Sequence, residues 1–195
     1  MQIMYWVNKF AKGVVLTLLS LWVINPVYAG IDTSWVKNKD GQVHLQMADG
    51  AIYDIKLMAD IEGVFYDREK HPVEGGEYIS LFQIHPSNSA SSTGLCGVGR
   101  EIWLYVYQVV DTALIEKKKR LVGSCLRSIS MASQNSGDAD QDDDFSSVNW
   151  NSSGFSIEWF DNVDAAGRSL QRSNFVLHGD HFLQQDVLIQ DNPKK

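Results

Sequence analysis

Apolar and polar residues alternate with a period of two along most of this chain, as they do in a β-strand with one buried face. Val43, Leu45 and Met47 alternate with polar neighbours, and the pattern resumes after a turn at 48–50, which predicts a hairpin. Further strands are predicted at 78–84, 101–110, 113–131, 155–159, 175–177 and 186–189.

These segments predict an all-β, mainly antiparallel fold of about eight short strands, either a sandwich or an open barrel. Residues 58–66 and 162–171 leave room for one or two short helices. No internal repeat or linker divides the chain, so we expect one β-rich domain over residues 30–195.

Residues 1–29 have the organisation of a cleavable secretory signal peptide. Lys9 and Lys12 precede an apolar stretch at 13–24, and a small-residue cleavage site ends at Ala29. A membrane anchor is the alternative, but about 12 apolar residues are fewer than the roughly 20 that a spanning helix needs. We therefore expect export to the periplasm, with no membrane insertion after cleavage.

Removal of residues 1–29 makes the chain more acidic. The other 166 residues keep 15 of the 17 basic and all 24 acidic side chains, so the formal net charge changes from −7 to −9. An acidic surface disfavours nucleic acids and anionic lipids, because their phosphates bind basic patches. The charge favours a cationic partner instead.

The two cysteines, Cys96 and Cys125, both lie in the exported part, where such a pair usually forms a disulfide. A hairpin centred near Val110 and Asp111 would place positions 96 and 125 almost opposite each other, so that the disulfide would close its open end. A reactive redox pair is the alternative. It is disfavoured because the chain has no Cys-x-x-Cys spacing.

Residues 102–110 are apolar on both faces of their predicted strand, and one face carries Trp103, Tyr105 and Tyr107. This pattern predicts a central strand between two packed layers, and an exposed aromatic platform for sugar or protein is the alternative. The basic run at 116–120 is then interpreted as a strand edge that lysines protect against aggregation.

The segment DADQDDD is the most acidic part of the chain. Asp138, Asp140 and Asp142 match the first three ligand positions of an EF-hand loop, which would bind Ca²⁺. The match ends there, because Asp143 replaces the required glycine and Asn149 replaces the bidentate glutamate. The alternatives are a solvated loop and an acidic loop that docks into a basic cleft of a partner. We expect no cofactor.

His178, Asp180 and His181 place two imidazoles and a carboxylate within four residues, which could begin a zinc or hydrolase site. We expect a surface turn instead, with the two histidines on opposite faces because side chains alternate along a strand. The sequence contains no nucleophile elbow and no phosphate-binding loop. We therefore expect a protein that is not an enzyme and assign no catalytic residue.

A cleavable signal, a compact β-rich domain, the Cys96 and Cys125 pair and an acidic surface occur together in this chain. In these features it resembles small Gram-negative periplasmic proteins that block an enzyme, namely immunity proteins against toxins and lysozyme inhibitors. The resemblance implies a rigid scaffold with a loop that places carboxylates and an aromatic anchor in the target's active cleft.

The function predicted on this basis is occlusion of the active site of a cationic toxin or cell-wall hydrolase. The predicted partner-binding residues are Asp138, Asp140, Asp142, Asp143, Asp144, Phe145 and Trp150. The serine-rich loop at 87–94 is the second choice. Other functions stay open: a periplasmic hydrolase that uses His178, Asp180 or His181, a carbohydrate- or ligand-binding β module, and an envelope assembly factor.

Overall fold

A computed structural model describes residues 33–58, 60–86, 99–135 and 144–190. The predicted signal peptide, the serine-rich loop at 87–94, Cys96 and the aspartates at 138, 140, 142 and 143 lie outside these residues. In chain order the strands are β1 (Ser34–Lys37), β2 (Gln42–Gln46), β3 (Ile52–Lys56), β4 (Gly63–Tyr66), β5 (His71–Val73), β6 (Gly76–Pro86), β7 (Arg100–Val110), β8 (Ala113–Ser124), β9 (Ser130–Met131), β10 (Val148–Asn151), β11 (Gly154–Asp161), β12 (Leu170–His178) and β13 (His181–Leu188).

All pairings between these strands are antiparallel, so the predicted fold class is confirmed. The predicted number of about eight short strands is wrong, because the described chain has thirteen and three of them contain 11 or 12 residues. The only helical elements in this part of the chain are two short 3-10 turns, neither of them in the regions where helices were expected. No helix among the described residues is long and apolar enough to cross a membrane.

The strands form two open sheets and a separate hairpin. In the first sheet the order is β1-β4-β6-β7-β8, with β5 paired to the start of β6, and in the second it is β10-β11-β12-β13, with β9 paired to β11. The hairpin consists of β2 and β3. The sheets pack face to face around one apolar core, which makes a sandwich, and the hairpin covers the other face of the first sheet around a second core.

Strand β7 lies between these two cores, as its sequence predicts. Ile102, Leu104 and Val106 are buried against the second sheet. On the opposite face Tyr105 is buried under the hairpin, and Trp103 packs beside it. The alternation that identified the strand therefore reflects two packed layers and not an exposed aromatic platform.

The basic run on β8 lies at the edge of the first sheet, which confirms its interpretation as an edge strand. Its side chains also contact the rest of the protein. Lys117 forms an ion pair with Asp180, and Lys118 Nζ lies 5.2 Å from the centre of the Phe175 ring. The next two cations also lie against aromatic rings. Burial lowers the pKa of Lys118. These contacts attach strand β8 to its neighbours on both faces of the first sheet, and the charges of the run protect this edge strand against aggregation.

The chain leaves the first sheet directly after β8. The predicted continuation of this strand to residue 131 is wrong, because a 3-10 turn at Cys125–Arg127 interrupts it and Ser128 adopts a left-handed conformation (φ 50°). Backbone hydrogen bonds in both directions between Ser124 and Ile129 close the turn. Strand β9 then pairs with β11, so this turn is the crossover between the two sheets.

The register of the β7–β8 hairpin differs from the predicted one. The turn lies one residue later than predicted, and two bulges shift the pairing further, so that Glu101 lies opposite Ser124. Cys125 begins the 3-10 turn that follows β8, and Cys96 lies outside the described residues. The expected alignment of position 96 with 125 and the disulfide between them therefore stay predictions.

Candidate partner-binding site

The described residues on either side of positions 136–143 lie close together beside the second sheet. Ser133 lies in the 3-10 turn Ala132–Asn135, where its N–H donates to Ser147 Oγ (2.7 Å) and its hydroxyl donates to the carbonyl oxygen of Asp144 (2.8 Å). On either side of this junction Met131 and Phe145 are buried in the core. We call residues 131–135 and 144–147 the neck, since they fix where the acidic segment leaves and rejoins the domain.

Phe145 anchors the neck and does not present an aromatic surface. Its side chain is only 1% exposed and stacks on Phe82 at 3.9 Å between ring centres, with Phe65 at 5.3 Å. A ring in this position holds the loop to the first sheet through burial. The expectation that Phe145 contacts a partner does not agree with this position, because the ring is part of the core.

Trp150 is half-buried between the two sheets. Its ring lies parallel to that of His71 at 4.4 Å, and its Nε1 is a buried donor without a hydrogen-bond partner in the described part of the protein. His71 Nε2 in turn lies 2.7 Å from Oδ2 of Asp67, a mostly buried carboxylate that the sequence analysis did not single out. Asp67 contacts His71, and His71 stacks on Trp150, so this cluster connects the first sheet to the second.

The exposed aromatic residue near the neck is Phe160, which the sequence analysis missed. It is 60% exposed on β11, between Trp159 and Asp161, which pair with Met131 and Ser130 of β9. The signal was present in the sequence. Phe155, Ile157 and Trp159 alternate as inward residues, so position 160 has to face outward.

Three acidic side chains lie around Phe160 or at the neck: Glu158, Asp161 and Asp144, all of them exposed. Neither Asp144 nor Asp161 forms an ion pair with a described residue, whereas Glu158 has Arg172 as its cross-strand neighbour. We call Asp144, Glu158, Phe160 and Asp161 the acidic rim. An exposed ring with exposed acidic residues beside it in sequence suits a partner that is both apolar and cationic at its binding site.

A shallow cavity of about 200 Å³ adjoins the rim. Its lining residues are Ala132, Glu158, Trp159, Gln171 and Arg172. It therefore lies between the 3-10 turn of the neck and β11 and β12, the two central strands of the second sheet. A concave surface next to an exposed ring could receive a protruding side chain of a partner and so fix the orientation of the complex.

The predicted aspartates at 138, 140, 142 and 143 continue from the neck but lie outside the described residues. Their assignment to a partner site and the Ca²⁺ alternative both stay predictions. Asp144 is the member of the set that the structure describes. Its side chain accepts a hydrogen bond from the N–H of Ser146 (2.8 Å), which turns the chain back into the core.

His178, Asp180 and His181 form the exposed turn between β12 and β13, as expected. The expectation that the two histidines face opposite sides is wrong. They pair directly across the hairpin, and directly paired residues lie on the same face. Lys117 donates a hydrogen bond to Asp180 and holds the pKa of that carboxyl below its usual value. Asp180 is thus engaged by a lysine, and not by an imidazole as a catalytic pair would require.

Comparison of the chain with models of protein families, with characterised proteins and with solved structures finds no match. The function therefore has to be inferred from the geometry of the site.

Proposed function

We propose that the mature chain is a noncatalytic periplasmic binding protein that neutralises a cationic toxin or cell-wall hydrolase by occluding its active site. The proposal includes removal of residues 1–29 on export and a disulfide between Cys96 and Cys125 in the oxidising periplasm. It makes the protein an immunity protein or an inhibitor.

The observation that carries this proposal is the position of Phe160. Its ring is exposed on β11, Glu158 and Asp161 are its nearest acidic residues in sequence, and its strand pairs with β9 beside the neck. Aromatic residues on a rigid strand supply large contact area at low conformational entropy cost. Carboxylates around the ring would steer a basic target and fix its orientation.

The rest of the domain provides the rigidity that an occluding surface needs. Strand β11 contributes three buried residues to the sandwich core, so Phe160 is positioned by the packing of its own strand. The neck is fixed by the two hydrogen bonds of Ser133 and by buried Phe145. A binding residue on a packed strand is placed more accurately than one on a free loop.

Inhibition of a basic lysozyme by the purified mature chain tests the proposal. We expect Phe160→Ser to weaken inhibition by about tenfold to a hundredfold, the usual loss for a central aromatic contact. Ile52→Ser is the matched control, because Ile52 is 64% exposed on β3, away from the rim. Equal inhibition by the Phe160 and Ile52 variants would exclude the rim as the binding surface.

The role of the acidic segment is tested in the same assay by the triple substitution of Asp138, Asp140 and Asp142 by Asn. Loss of three charges should slow association most at low ionic strength, with little effect at high salt. An unchanged salt dependence would remove the segment from the proposal. If lysozyme is not inhibited at all, a toxin encoded beside this protein becomes the target to assay, and absence of a complex there would overturn the proposed function.

A further inference from the structure

Among the described strands, β13 is the outermost of the second sheet and pairs with β12 alone. The N–H of Leu177 points away from β13, since it donates to the carbonyl oxygen of Ser153 (2.8 Å). The Leu177 and Phe182 pair is therefore not hydrogen-bonded, and by alternation Phe182, Gln184 and Asp186 direct their backbone groups to the outer edge. Within the described chain no further strand pairs with these groups.

One contact confirms the direction of these groups. The carbonyl oxygen of Phe182 accepts a hydrogen bond from Lys118 Nζ (3.2 Å), which reaches it from the neighbouring edge strand β8. Gln184, Gln185 and Asp186 follow this contact and are exposed. The available part of the edge therefore begins after Phe182.

The four outer edges of the two sheets differ in protection. Strand β8 carries the basic run 117–120, and β1 and β10 contain only four residues each, so three edges have charge or shortness as protection. Strand β13 has eight residues without lysine or proline. Its one carboxylate, Asp186, accepts hydrogen bonds from Ser173 (2.6 Å) and Gln184 (2.7 Å). A long edge of this kind readily pairs with another strand.

The sequence of β13 is nearly symmetric about Gln185. Leucine and valine lie two positions before and after it, and glutamine and aspartate one position before and after. We propose that a second copy of this chain adds its own β13 to this edge, antiparallel, with the two-fold axis through Gln185. The two second sheets would then form one continuous sheet.

This register satisfies both the backbone and the side chains. Gln184 pairs with Asp186 of the second copy, and because both direct their backbone groups outward, the two equivalent pairs form four N–H to carbonyl hydrogen bonds. Leu183, which is exposed, lies opposite Val187. An axis through Asp186 would oppose two carboxylates, and an axis through Gln184 would place Leu183 opposite Gln185. The Gln185 register is the most complementary of the three.

A single strand pair buries less surface than a stable interface of about 1,600 Å², so the association should be weak. We expect a dimer in sedimentation equilibrium of the mature chain between about 10 µM and about 1 mM. A protein that is still a monomer at the upper concentration would overturn the proposal and leave the edge to a strand from another protein.

The decisive variant is Gln185→Lys, which places two ammonium groups against each other on the two-fold axis. It should raise the dimer dissociation constant at least about tenfold. Asn174→Lys is the matched control, since Asn174 is the cross-strand neighbour of Gln185 on β12 and receives the same charge one strand away from the axis. Equal weakening by the two variants would contradict pairing through β13.

Hydrogen exchange gives a second measurement that needs no substitution. The amides of Gln184 and Asp186 should gain protection as the protein concentration rises. The amide of Gln185 is already directed to β12 and should change little. Protection that appears at another edge would mean a different dimer and overturn the proposal. The proposed function is independent of this result, because the acidic rim lies on β11 and at the neck.

Discussion

The two faces of the first sheet are covered in different ways. Between the two sheets, aromatic rings pack on each other: Phe82 of β6 stacks on Phe145 of the neck at 3.9 Å, and Phe155 and Phe175 of the second sheet stack at 4.6 Å between centres. On the other face the two-stranded hairpin is the only described layer, and its core contains mainly aliphatic side chains and tyrosines. The first face therefore depends on extensive burial of large rings.

The hairpin depends more on directional contacts. The Tyr66 hydroxyl donates to the carbonyl oxygen of Gln46 (3.1 Å) and accepts from its N–H (3.0 Å), and Arg68 Nε donates to the same carbonyl (3.1 Å). An isolated two-stranded hairpin is marginally stable, so these bonds matter for its attachment. We therefore expect the sandwich to unfold as a unit and the hairpin to open separately.

The largest expected loss of stability comes from a substitution in the aromatic core between the two sheets. Phe175 is fully buried, and Phe175→Ala should lower the free energy of unfolding by about 3 to 5 kcal/mol, because it removes a stacked ring and leaves a cavity. The denaturant midpoint in urea would measure the loss, with an unchanged m-value. A loss below about 1 kcal/mol would mean that this face can repack around the gap.

Alternation in the sequence predicted most of β6, β7 and β11, but only residues 175–177 of β12 and the end of β13, and β12 begins within 162–171, where a helix was expected. Val43 and Leu45 are buried under the hairpin, and Phe155 and Ile157 in the sandwich, as the pattern required. The short strands were missed, since two to four residues contain too little alternation to read.

The candidate site was harder to predict for a different reason. Phe145 and Trp150 were chosen because they are aromatic and close to the acidic segment in sequence. Whether a ring faces outward depends on which sheet packs over it. That packing follows from the crossover between the sheets after β8, which the sequence did not predict. Only Phe160, on a strand with readable alternation, could have been identified as exposed.

The hairpin attachment gives an intermediate effect. Tyr66→Phe removes both hydrogen bonds to Gln46 and should cost about 1 to 2 kcal/mol, because the Gln46 N–H loses its acceptor and Arg68 remains as the donor to the Gln46 carbonyl. Amide exchange should accelerate in β2 and β3 and stay slow in β11 and β12. Tyr78→Phe is the control, since Tyr78 is buried in the sandwich core on the other face of the first sheet. Faster exchange throughout the protein would show that the hairpin and sandwich open together.

The smallest effect concerns His85, which lies near the end of β6 with a buried Nε2 that has no partner within the described chain. Burial lowers the pKa of His85, and Lys119 adds to this against the opposing effects of Asp60 and Glu101. The unfolded chain, with a histidine pKa near about 6.5, therefore binds the proton more readily than the folded protein does.

The stability contribution of neutral His85 is fully present above the unfolded pKa and is lost as the pH falls from there toward the folded pKa. Between about pH 7 and about pH 5.5 the free energy of unfolding should thus decrease by less than about 1 kcal/mol. The decrease should be smaller in His85→Gln and also in Lys119→Met, since each removes part of the cause. Urea midpoints at the two pH values measure it, and equal decreases in wild type and His85→Gln would assign the pH dependence to other groups.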